Sequence, residues 1–216
     1  MNARDAMATL GDLAEWQLGY VTAAQAIDAG VSRVQLHRLA QAGAIERAHS
    51  GVYRLAGAPP HRFEHILAPW LAVDPTATYE QRFARPWEGA VATGVTAATL
   101  HEVGTFVLDR IEFALPRRRQ SRDPGLHFRR AQLTPDEVVD AQGVPATTIE
   151  RTVADLIAAP RDWSIVADLV EEAHHLGQFD IATAAAALDR IPKAARRGLT
   201  GQEVVDDLLA DMRAAA

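Results

Sequence analysis

Residues 21–55, VTAAQAIDAGVSRVQLHRLAQAGAIERAHSGVYRL, gather arginine and histidine in their second half, although the 216-residue chain has a formal net charge of −6. Thr22-Ala23-Ala24-Gln25 and Ser32-Arg33-Val34-Gln35 both carry a hydroxyl followed three residues later by a side chain able to bond back, the capping-box pattern of a helix start. Gly30 closes the first of these helices and Gly43 the second, because a residue without a Cβ enters the left-handed region at little cost. Ala44 to Arg47 and Val52 to Leu55 then read as short strands about the turn His49-Ser50-Gly51, with Tyr53 and Leu55 on one face and Val52 and Arg54 on the other. Helix, tight turn, helix and β-hairpin in this order spell a winged helix.

In the second helix Leu36, Leu39 and Ala40 share an inward stripe, which leaves Ser32 and Arg33 at its start and Gln35, His37, Arg38 and Gln41 along the remainder. Arginine pairs with the two acceptors of guanine, glutamine with adenine, and an α-helix fits the major groove. The wing adds Arg47, His49, Ser50, Tyr53 and Arg54 for phosphate or minor-groove contact. Double-stranded DNA is the partner these residues suit. The alternative is an ordinary charged surface helix, or a helix-turn-helix that serves protein interaction.

Charge is distributed in islands. Residues 31–58 hold four arginines against Glu46, and residues 110–130 hold seven against Glu112 and Asp123. Residues 59–109 hold three arginines against six acids, and residues 131–216 hold seven basic residues against fifteen acidic ones. One surface suited to polyanion and another suited to a different partner would produce this pattern. There is no cysteine, which excludes disulfides and cysteine-held metals and fits a reducing cytoplasm. No apolar run approaches the roughly 18 residues of a membrane span, and Asp5 and Asp12 interrupt the N-terminal segment. The expectation is a soluble, cytoplasmic, α+β protein without membrane contact, metal or cofactor.

Gly57-Ala58-Pro59-Pro60 ends the wing and marks a boundary, giving a winged helix-turn-helix domain over 1–58 and a mixed α/β domain over 59–216 with a helical tail from 161. In the second domain His61 to about Leu71 and Thr96 to Glu102 are expected as helices, and Thr78-Tyr79-Glu80 as a strand. Arg110 to Leu115 and Leu126 to Arg130 alternate as strands on either side of the loop Pro116 to Gly125, and Val138-Val139 and Val144-Pro145-Ala146 are further strand pieces. Thr147 with Glu150 and Thr200 with Glu203 complete two more capping boxes, and helix is expected from Asp162 onward. Arg117, Arg118 and Arg119, following Pro116, extend the candidate DNA contacts as loop charges suited to phosphate.

The run from Gly19 to Leu55, with TGVTAATLHEVGT, IEFALPRRR, LHFRRAQLTPDEVV and GVPATTIERTVADLI after it, resembles the successive blocks of the AbiEi family of bacterial transcriptional regulators, the AbiE-type antitoxins. The resemblance spans roughly residues 10–160, and its most specific parts are His49 to Leu55 and Pro145 to Leu156, with Arg151-Thr152 and Asp155-Leu156. It implies an N-terminal winged helix bound to the operon's own promoter, and an α/β C-terminal domain that aids repression and counters a nucleotidyltransferase toxin. An irregular insert around Asp74 to Glu88 and a short helical tail depart from the pattern, and many relatives are solitary regulators.

Catalysis finds little support in the residues. A nuclease of the type fused to similar N-terminal domains needs carboxylates and an acidic-x-Lys element. Pro135-Asp136 offers the first, but the chain's single lysine, Lys193, follows Ile191 and Pro192. His61 and His65, spaced i, i+4, lack a third metal ligand at motif spacing. Glu171, His174 and His175 fit a helix C-terminus better than a metal, and Arg151 with Asp155 fits an i, i+4 ion pair. The reading is therefore a DNA-binding regulator with no catalytic residues, set against a divergent nucleic-acid-processing enzyme and a solitary protein-interaction module.

Overall fold

The computed structural model describes residues 2–159 and 163–215. The chain forms two compact units, residues 1–85 and 86–216. The first contains α1 (Ala3–Glu15), β1 (Tyr20–Thr22), α2 (Ala23–Asp28), α3 (Arg33–Gln41), β2 (Ile45–His49), β3 (Val52–Leu55), α4 (Glu64–Val73) and α5 (Tyr79–Ala84).

Both expected capping boxes form: Thr22 Oγ1 accepts from the Gln25 amide nitrogen and Ser32 Oγ from that of Gln35, while each glutamine carbonyl accepts from the backbone of its cap. Gly30 and Gly43 take φ of +90° and +70° after the two helices. The apolar stripe of α3, Leu36 and Leu39, is buried with Ala6, Leu10, Val21, Ala26, Val31 and Ile45 in one core. Each large aliphatic side chain buried there contributes about 1.5–3 kcal/mol. A third strand, β1, joins the hairpin in the antiparallel order β1-β3-β2, with Tyr20 opposite Arg54.

The expected boundary after residue 58 lies inside the first unit, because the chain returns to the winged helix beyond Pro59-Pro60. Tyr20 Oη donates to Glu64 Oε1 at 2.7 Å, and Gln25 Nε2 donates to the Ala77 carbonyl at 2.7 Å. Thr22 Oγ1 also bonds the Pro75 carbonyl. The strand expected at Thr78 to Glu80 is instead the start of α5, for which Thr78 and Gln81 supply a capping box.

The second unit contains β4 (Val91–Ala92), α6 (Val95–His101), β5 (Ile111–Leu115), β6 (Leu126–Arg130), β7 (Val138–Ala141), β8 (Val144–Thr147), α7 (Ile149–Ala158), α8 (Trp163–His175), α9 (Ile181–Asp189) and α10 (Gly201–Ala215). The sheet order is β6-β5-β4-β8-β7, with β5/β6 and β4/β8 parallel and the other two pairs antiparallel. Helices α6 to α10 share a core that includes Val153, Leu156, Val166, Leu169, Val170, Leu188 and Val204.

Arg161 and Asp162, where the helical tail was expected to begin, lie outside the described residues; from Trp163 three helices follow. Helix α7 is capped by Thr148 rather than Thr147, and Glu150 instead accepts from the Asp180 amide at 3.0 Å. Thr200 and Glu203 form their expected box. Among the described residues no helix is long and apolar enough to cross a membrane.

Candidate nucleic-acid interface

The buried stripe of α3 fixes what its opposite side presents. Val34, His37, Arg38 and Gln41 follow one another at helical spacing and are all exposed, and Arg33 is exposed in the first turn. No acidic residue occurs between Gly30 and Ile45, so this face carries the positive charge of Arg33 and Arg38 with no negative charge among its own residues. Val34, 58% exposed, was absent from the expected contacts. Its signal in the sequence was an apolar residue off the Leu36–Leu39 stripe, suited to the methyl group of thymine.

Two expected readers are partly committed to the fold. The Ser32 hydroxyl and the Gln35 amide oxygen face each other across the cap at 2.9 Å. Gln35 is half-buried, and its amide oxygen accepts from both the backbone and the hydroxyl of Ser32 at the helix terminus.

In the wing, the hairpin has a bulge between Arg47 and His49, and Gly51 turns the chain at φ +74°. Arg47 is exposed and leans along the turn, with Nε 3.4 Å from the His49 carbonyl and a terminal nitrogen 3.4 Å from Ser50 Oγ. His49 and Tyr53 are half-buried, and Ser50 is exposed at the tip.

Arg54 departs from expectation. It is 8% exposed and turns into the unit with Val52, so the buried face of β3 is the Val52/Arg54 face. Its guanidinium donates to Glu64 Oε1 at 3.1 Å and to the Ala58 carbonyl at 2.5 Å, and it is ion-paired with Glu46. A buried guanidinium so enclosed by acceptors is a structural group, which removes Arg54 from the exposed contact set.

In the second unit Arg117, Arg118 and Arg119 are exposed after β5, and Arg119 lies 5.2 Å over the ring of Phe128. Arg129 turns inward, ion-paired with Asp155 at 2.5 Å and donating to Thr93 Oγ1 at 2.9 Å. Asp155 also accepts from Thr93 Oγ1 at 2.7 Å and from Arg151 Nε at 3.1 Å, and Arg151 pairs with Glu137 at 2.7 Å. The Arg151–Asp155 pair is thus part of a buried ionic network.

The candidate catalytic groups are not assembled. His61 precedes α4, its Nδ1 accepting from the Phe63 amide at 3.1 Å, so it does not share a helical face with His65. Asp136 is exposed, its carboxyl held below the usual range by the Thr134 hydroxyl, while Glu137 faces the arginines. His174 and His175 occupy the last turn of α8. Among the described residues no group of three or more His, Cys, Asp or Glu side chains is placed to hold a metal.

Residues 9–56, from within α1 to just past β3, match the family described as transcriptional regulator, AbiEi antitoxin. The whole fold is similar to the crystal structure of the RV2827C protein from Mycobacterium tuberculosis, with a TM-score of 0.54 and 19% identity over 95% of this chain and 81% of that one. No curated protein matches the chain.

Proposed function

We propose that this protein is a DNA-binding transcriptional regulator of the AbiEi antitoxin type that represses its own promoter from the cytoplasm. The observation that carries this reading is the exposed, acid-free face of α3, backed by a complete apolar core and flanked by the wing. Arg33, Arg38, His37 and Gln41 read base edges in the major groove, and Val34 contacts a thymine methyl. Arg47, His49, Ser50 and Tyr53 meet the backbone or the minor groove, while Ser32 and Gln35 hold the N-terminus of α3 in place. Arg117, Arg118 and Arg119 contribute phosphate contacts that carry no sequence information.

The acid-rich segment from residue 131 onward is the surface for a cognate nucleotidyltransferase toxin, by likeness to the antitoxin family and by charge. Binding of the purified protein to the DNA upstream of its own reading frame, followed by fluorescence anisotropy against a scrambled duplex, tests the first part. Growth rescue on co-expression with a neighbouring nucleotidyltransferase tests the second.

A further inference from the structure

Helix α2, which leads through the turn at Gly30 into α3, has little apolar packing of its own. It spans 6 residues, short of the roughly 12–15 at which an isolated helix is even marginal, and only Gln25 and Ala26 are buried. A carboxamide takes the place of a large apolar anchor. The Gln25 side-chain oxygen accepts from the Thr22 amide at 2.9 Å and from Gln17 Nε2 at 3.0 Å. Its nitrogen donates to Gln17 Oε1 at 3.0 Å and to the Ala77 carbonyl at 2.7 Å, so every donor and lone pair is used. Thr22, the cap of the same helix, bonds the Pro75 carbonyl through its hydroxyl. Two of the holds on α2 are therefore backbone carbonyls of the loop from Asp74 to Ala77.

Asp74, Pro75 and Thr76 are exposed, so burial does little to fix that loop. Arg82, on α5, fixes it instead. Its Nη2 donates to the Leu71 carbonyl at 2.9 Å and bonds that of Asp74, closing the C-terminal end of α4. The guanidinium lies 5.1 Å over the ring of Trp70. Trp70 is 1% exposed and meets the rings of Tyr79 and Phe83 edge-on at 6.0 and 5.9 Å, so the platform under the cation is itself packed in place.

We infer that Arg82 is a positioning residue for DNA reading. It sets the carbonyls on which α2 rests, and α2 sets the angle at which α3 is presented. The irregular insert from Asp74 onward, which contributes nothing to the interface described above, thereby acts on it as a brace. The inference rests on α3 as the DNA-reading helix. Arg82 stands outside α3 and the wing, so its loss should disturb base readout, which demands a fixed geometry, more than phosphate attraction, which does not.

The test uses the full chain with two substitutions. Arg82→Met keeps a stem against Trp70 and loses every donor, and Arg82→Lys keeps the charge without the planar fork. In hydrogen exchange, the Ala29 and Val31 amides, bonded to the Gln25 and Ala26 carbonyls, should exchange about tenfold faster in Arg82→Met, as loss of a charged hydrogen bond allows. The Leu55 amide, bonded to the Gly19 carbonyl in the hairpin, should be unchanged. In competition binding under conditions where circular dichroism shows each chain folded, the affinity ratio of upstream to scrambled duplex should fall about tenfold in Arg82→Met, with affinity for the scrambled duplex altered less than about twofold. Arg82→Lys should lie between native and Arg82→Met in both readouts. Equal weakening on the two duplexes would make Arg82 a phosphate contact, and a lower urea midpoint with an unchanged ratio would make it structural only; either overturns the proposal. So does an Arg82→Lys chain identical to the native one in both readouts. If the native chain itself does not discriminate, it is the DNA reading that fails, and the exchange rates of Ala29 and Val31 decide separately whether Arg82 holds α2.

Discussion

Arg54 in the wing and Glu64 at the start of α4 are joined side chain to side chain, guanidinium Nε to carboxylate Oε1 at 3.1 Å. The same carboxylate oxygen accepts from Tyr20 Oη, so one acid ties β1, β3 and α4 together. Removing the cation leaves the Glu64 carboxylate with Tyr20 as donor but without its charge partner, and leaves the Ala58 carbonyl without the Arg54 donor. Arg54→Ala should therefore lower the stability of the first unit by about 1.5–3 kcal/mol, as loss of a charged hydrogen bond does, read as a lower urea midpoint. A fragment of residues 1–85 should fold and one of residues 1–58 should not, as judged by amide dispersion in NMR spectra.

Tyr20 gives this junction a pH signature. Burial, with the hydrogen bond to Glu64 adding to it, pushes the phenol up to about 12 from the ordinary value of 10.0. The folded form therefore holds its proton where the unfolded chain has lost it. Stability is full below pH 10 and declines as pH rises from there through about 12. Urea midpoints measured across that window should fall more steeply for the native chain than for Tyr20→Phe.

The second unit rests on a different ionic centre. Asp155 accepts from Thr93 and Arg151 and is ion-paired with Arg129. Removing this buried acid takes a charged partner from Arg129 and Arg151, but Arg151 keeps Glu137 and both cations reach solvent, so Asp155→Ala should cost about 1.5–3 kcal/mol. Arg129→Ala should cost less, because Arg129 is partly exposed. Differential scanning calorimetry would rank the two.

What the sequence made legible were features with a local cause. Hydroxyl-to-glutamine spacing and two well-placed glycines mark α2 and α3, because capping and turn closure involve neighbours only. Arg54 was illegible for the opposite reason. In a four-residue strand, alternation cannot tell which face is inward, and the acceptors that make a buried guanidinium tolerable lie on β2 and on α4, across a proline pair. Those prolines end an element without ending the domain. At residues 78–80 the strand preference of Thr and Tyr competed with a capping box at Thr78 and Gln81, and the box prevailed. Val34 was missed because exposure was inferred for polar residues only.

The two basic islands should fail differently. Arg33→Ala or Arg38→Ala should cost about 1–3 kcal/mol on cognate DNA if the side chain pairs with guanine, with discrimination lost alongside affinity. Substituting Arg117 and Arg118 by alanine should weaken cognate and scrambled duplexes about equally and flatten the salt dependence, by about 0.9 in slope for each phosphate released. If a cognate toxin exists, the Arg33 and Arg38 variants should still rescue growth. Competition anisotropy on all four proteins would check this. Loop variants that lose discrimination while the helix variants keep it would reverse the assignment.

The central claim is that α3 reads the DNA upstream of the protein's own reading frame. It is tested most directly by titrating the native chain onto that duplex and onto a scrambled one of equal length across a series of salt concentrations. The account predicts tight binding to the upstream duplex, a steep fall with salt on both, and an affinity ratio that survives added salt but collapses in Arg33→Ala or Arg38→Ala. Equal affinity for the two duplexes, or no binding at low salt, would contradict it.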